Sequence, residues 1–123
     1  AEICRAAGKW PQCYLHAGQA IEFALKAIYL RRRGLNQLPP SCRGARWHSL
    51  ELIMQEANIS VEYGGLKADN KLYANWLTVK DWDSNARFPG RPLPKEEVTD
   101  LMVAAFNPTK GVFWWLESIF QKS

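Results

Sequence analysis

The sequence predicts an all-α domain, an antiparallel up-and-down bundle of four to five helices. Three observations carry that expectation. Apolar residues recur at spacings of three and four in successive segments, Pro and Gly fall between those segments, and no useful run alternates apolar with polar residues. At 123 residues the chain suffices for one continuous core and is too short for two, so residues 1–123 are expected to form one domain.

The first helix spans residues 12–33. At about 100° per residue, Cys13, Ala17, Ala20, Ile21, Ala24, Ala27 and Ile28 share a broad apolar face. Gly34 stands where a helix C′ residue belongs. The following LNQLPPSCRGARW contains Pro39, Pro40 and Gly44, which rule out regular structure. A shorter helix starts near Ser49 and turns Leu50, Ile53, Met54 and Ala57 to one side. Residues 58–65, with Gly64 and Gly65 at their end, read as a break. Asp69 or Asn70 then caps a third helix that buries Leu72, Trp76, Val79 and Trp82 and stops before Phe88-Pro89-Gly90. Pro94, Glu96 and Glu97 suit the first turn of a fourth helix, with Val98, Leu101, Met102 and Ala105 inward. Asn107-Pro108 should kink or split this last helix, which resumes with Val112, Trp115, Leu116 and Ile119 on one face.

Composition narrows the functional classes. A hydrophobic fraction of 47% with 23% charged residues excludes disorder as a global description. Six Trp, five Phe and four Tyr exceed what so small a core hides, so some rings are expected between subunits. No apolar run approaches the roughly 20 residues that span a bilayer, so no membrane partner is expected. The opening AEICRAAGKW lacks both a starting Met and the apolar stretch of a secretory signal, as in a trimmed chain. Cys4, Cys13 and Cys42 make no CxxC pair and no metal-ligand spacing with His16 or His48. The expectation is therefore a reducing, cytoplasmic setting, no metal and no cofactor, with Cys13 a small core residue.

Charge is segregated. Between Arg31 and Arg46 stand five arginines (31, 32, 33, 43 and 46) and no acid, and Arg87, Arg91 and Lys95 form a second strip. Such segregation suits RNA, a nucleotide or an acidic protein. Equally, Arg31 to Arg33 can complement the helix macrodipole while the rest are solvated. On the first helix, Gln12, His16, Gln19, Glu22 and Lys26 gather opposite the apolar face, with Phe23 and Leu30 set among them. That mixed stripe reads as a contact face in a homodimer. The plainer reading of Glu22 and Lys26 is a surface pair at i,i+4, worth a few tenths of a kcal/mol. Trp114 and Trp115 diverge by about 100°, so they cannot both enter one core.

Three segments resemble the HEPN family of small helical bundles. The first helix carries its aromatic, Gln-Ala-x-Glu and Leu-Lys-Ala pattern at Tyr14, Gln19, Ala20, Glu22, Leu25, Lys26 and Ala27. His48-Ser49-Leu50-x-x-Ile53 is similar to the family's start of helix two, and Ala86-Arg87-Phe88-Pro89 to its Ala-Arg-Tyr-Pro. The likeness extends over residues 13–105. It implies dimerisation, often through the first and last helices. It also implies pairing with a minimal nucleotidyltransferase, in a toxin–antitoxin or substrate-binding arrangement.

Other family members are metal-independent ribonucleases marked by Arg-polar-x-x-x-His. In those, Arg holds the phosphate and His moves the proton as the ribose 2′-OH attacks. Here Arg43 and His48 fit the bare spacing, but Gly44 replaces the polar residue and the pair precedes helix two. No His follows Arg87. His48 therefore reads first as a helper in capping helix two, and Arg31, Arg33, Arg43, Arg46, Arg87 and Arg91 as the anion-binding set. A HEPN-like dimeric binding protein is the expectation; an endoribonuclease using Arg43 and His48 is the alternative.

Overall fold

The computed structural model describes residues 10–40, 49–57, 59–80, 82 and 95–123, the side chains of 10–12 and 95 excepted. Among them the chain is all-helical, without strands: α1 (Trp10–Arg33), α2 (Leu50–Glu56), α3 (Ser60–Ala68), α4 (Asn70–Lys80), α5 (Lys95–Phe106) and α6 (Val112–Lys122). Helix α1 is the hub, packing against α2, α5 and α6, while α4 bridges α3 and α5. No helix among the described residues is long and apolar enough to cross a membrane.

Each boundary has a local cause. Gly34, at φ 66°, closes α1 with paired reverse bonds: its N–H donates to the Arg31 carbonyl and that of Leu35 to the Leu30 carbonyl. Ser49 caps α2 by accepting the Leu52 N–H, and Asp69 caps α4 by accepting that of Leu72. Between α5 and α6 the Asn107 side chain accepts the N–H groups of both Thr109 and Lys110, folding the Pro108 segment into a turn.

Two expectations are corrected. Residues 58–65 are not a break, because Ser60 to Ala68 is helical through Gly64 and Gly65. Each glycine costs a helix about 1 kcal/mol. Tertiary anchors outweigh that cost: Ile59 and Leu66 are fully buried and Glu62 is held by Arg32. The core-facing side of α1 is also rotated from the predicted one. Its buried members are Cys13, Tyr14, Ala17, Ile21, Leu25, Ile28 and Tyr29, with Glu22 at the edge of the same arc. Ala20, Ala24 and Ala27 lie only half-buried. The helix turns inward the side with the most apolar area, and Tyr, Leu and Ile weigh more than the alanines.

The remaining inward residues include those expected: Leu50, Ile53, Met54 and Ala57 on α2; Leu72, Trp76 and Val79 on α4, with Trp82 just beyond; Val98, Leu101, Met102 and Ala105 on α5; Val112, Leu116 and Ile119 on α6, whereas Trp115 is only half-buried and Ala104 is buried in addition. Trp82 lies flat on Gly18 of α1, where any side chain would overlap the indole, and donates its N–H to the Tyr14 carbonyl at 3.0 Å. That contact ties the end of α4 to the first half of α1.

Candidate functional site

The outward side of α1 is less polar and less open than its sequence implies. His16 is exposed, Gln19 is half-buried, and Phe23 is 62% exposed in the middle of the helix. Glu22 is only 4% exposed, so it does not belong to an exposed stripe. Lys26 reaches its carboxylate at 2.8 Å, which offsets the cost of burying the charge. Leu30 packs in part against the core, as does Trp115, whereas Trp114 remains 48% exposed. The two neighbouring indoles thus diverge as helical geometry requires. Trp114 folds back to donate to the Phe106 carbonyl, and its ring meets Phe113 edge-on at 5.0 Å. Val61, Leu77 and Val103 are further exposed apolar residues that the periodicity did not single out.

At the C-terminal end of α1 the three arginines have different duties. Arg32 points toward α3, where two of its nitrogens meet the two Glu62 oxygens at 3.3 and 3.1 Å, while Nε donates to Ser123 Oγ at 2.9 Å. This fork joins α1, α3 and the end of α6. Burial pushes the Glu62 carboxyl up, but the Arg32 hydrogen bonds and charge hold it below its ordinary range. Arg31 and Arg33 are exposed. Arg31 lies over the Phe120 ring and Arg33 over the Tyr29 ring, each 4.6 Å from the centroid. Arg33 also donates to the Glu56 carbonyl at 3.2 Å. Arg33 also stands 3.9 Å from a Glu56 carboxylate oxygen, and each guanidinium keeps further N–H donors beyond its ring contact.

Arg43, Arg46, His48, Arg87 and Arg91 lie outside the described residues, as do Cys4 and Cys42. Cys13 is a buried free thiol. No group of His, Cys, Asp or Glu suited to a metal ion occurs among the described residues.

Two clefts were not anticipated. One, about 360 Å³, lies where α2, α3 and α4 meet. Met54, Ile59 and Trp76 form its buried side, and Glu51, Gln55 and Ser60 are exposed at its rim. Its signal was hidden by reading residues 58–65 as a break, since Ser60 and Tyr63 line it from α3. The second cleft, of similar volume, is of mixed lining and bordered by Lys71, Asn75, Val103 and Lys110. There Lys110 is held by Asp69 at 2.6 Å and its carbonyl by the Asn75 side chain at 2.8 Å. The Lys110 and Leu72 hydrogen bonds keep the Asp69 carboxyl below its ordinary range.

No family model, curated protein or solved structure matches this chain.

Proposed function

We propose that the chain is a HEPN-like dimeric helical binding protein that presents arginines to an anionic partner. That partner is RNA, a nucleotide or a nucleotidyltransferase of the toxin–antitoxin or substrate-binding kind, in the cytoplasm. The observation that carries this reading is the pair Arg31 and Arg33, exposed at one end of α1 and fixed over Phe120 and Tyr29. Guanidinium groups already ordered on rings lose less freedom when they grip a phosphate. The dimer half of the proposal rests on Phe23 and Trp114, large apolar residues left in the open on α1 and α6.

The scaffold is an up-and-down bundle in which α5 and α6 are the halves of a last helix broken at Asn107-Pro108. In a run of five such helices the first and last are parallel. The Arg32 to Ser123 hydrogen bond, which sets the ends of α1 and α6 side by side, supports that count.

The test is light scattering together with RNA incubation in chelator. A dimer at tens of micromolar that Phe23→Asp turns into folded monomer, with no RNA cut, is the expected result. A wild-type monomer removes the dimer. Metal-independent cutting that His48→Ala abolishes replaces the binding protein with the ribonuclease built on Arg43 and His48, since an imidazole acid or base is worth about 100- to 10,000-fold in rate.

A further inference from the structure

The cleft between α2, α3 and α4 is bordered by a buried Trp whose indole N–H lacks an acceptor. Trp76 is 1% exposed, and its indole Nε1 has no hydrogen-bond partner among the described residues. A buried N–H left unmet costs about 1–3 kcal/mol, so natural cores rarely keep one without a use. Trp82, the other indole buried near the end of α4, finds the Tyr14 carbonyl. Trp76 borders the cleft and finds nothing.

Water is a poor answer. An ordered water needs two to four polar partners. The residues beside Trp76 on the buried side of the cleft are Met54 and Ile59, which offer none from their side chains. The polar groups of Glu51, Gln55 and Ser60 stand at the exposed rim, and Glu51 is there drawn to Lys80 at 3.8 Å. The site is therefore apolar within, polar at its mouth and backed by one orphan donor just behind its wall residue Trp76. That is the make-up of a small-molecule pocket, and about 360 Å³ lies at the small end of the usual range.

We propose that this cleft binds a compact molecule, one ring in size and mostly apolar, whose carbonyl-type acceptor receives the Trp76 indole N–H. The nitrogen is closed to bulk solvent, so the ligand seats by moving a neighbour aside. Met54, unbranched and flexible, is the neighbour able to give way. Tyr63 lines the same cleft, with Lys67 5.1 Å from its ring centroid, and adds an aromatic wall to it. This site is independent of the arginines and of the dimer face.

The test compares acetophenone with ethylbenzene, probes of nearly the same shape that differ in the acceptor. The readout is the Trp76 indole ¹⁵N–¹H resonance in the wild-type chain. Acetophenone should move that proton downfield saturably and slow its exchange with solvent. Ethylbenzene should bind about fivefold to tenfold more weakly, the worth of one net hydrogen bond, without the downfield shift. Gln55→Trp, a change at the exposed rim that leaves the core untouched, should block acetophenone while helicity and thermal unfolding stay as in wild type. The proposal is overturned by an unmoved Trp76 resonance, by equal responses to the two probes, or by unchanged acetophenone binding in Gln55→Trp.

Discussion

Gly18→Ala probes the joint that sets the end of α4 against α1. On helix propensity alone the substitution stabilises, since Ala exceeds Gly by about 1 kcal/mol inside a helix. Here the added Cβ would overlap the Trp82 indole at its nitrogen and two ring carbons, too deeply for a small shift to relieve. The ring, now 5% exposed, must leave, and with it goes its bond to the Tyr14 carbonyl. Losing a buried Trp costs about 3–5 kcal/mol, so the net effect is roughly 2–4 kcal/mol of destabilisation. For a chain of 123 residues that lowers the melting temperature by on the order of 10 °C. Thermal and urea unfolding followed by circular dichroism measure it. In a Trp82→Ala background the same Gly18→Ala change should turn mildly stabilising, because only the propensity gain is left. A Gly18→Ala chain as stable as wild type, or more so, would refute the packing described for Trp82.

The other glycines give the opposite sign. Gly64 and Gly65 lie inside α3 with open space where a Cβ would stand, so Ala at each should add about 0.5–1 kcal/mol in urea unfolding. Acid should weaken the fold through Glu62 and Asp69. Both carboxyls sit below their ordinary values, so their contribution is complete above about pH 5 and fades as pH falls through the unfolded and then the folded-state values. Glu62→Gln should flatten that acid limb in a pH series of melting curves, and an unchanged limb would remove Glu62 from it. Lys26→Met takes a charged hydrogen-bond donor away from the buried Glu22 carboxylate and should cost about 1.5–3 kcal/mol, part of it recovered when Glu22→Gln is added. Additive effects of the two changes would argue against their pairing.

Much of the fold is legible in the sequence because caps and spacing act locally. Ser49, Asp69 and Gly34 each perform the terminal role their residue type suggests, and the inward faces of α2, α4 and α5 follow the periodicity. The misreadings share one cause, which is that tertiary contacts outvote local preference. Gly64 and Gly65 look like a break until Arg32 and Glu62, 30 positions apart, are brought together. Glu22 looks exposed until the weight of Tyr14, Leu25 and Tyr29 rotates α1 and carries it inward. The cleft at Trp76 has no linear signature, since its lining comes from three helices, one of them unforeseen. The exposed rings of Phe23 and Trp114 were foreseeable, because each falls on a helix position that a single core does not reach.

The central claim, that ordered arginines at the end of α1 serve an anionic partner, is tested most directly by single-stranded RNA binding across a salt series. Anisotropy of a labelled strand should show affinity falling steeply with salt, each neutralised phosphate adding about 0.7 to the log–log slope. Arg31→Ala with Arg33→Ala should reduce that slope by about 1.4 per protomer, two phosphates' worth, while leaving the Arg32–Glu62 fork in place and the chain folded. A flat salt dependence, no binding at low salt, or a slope indifferent to both substitutions would contradict the account.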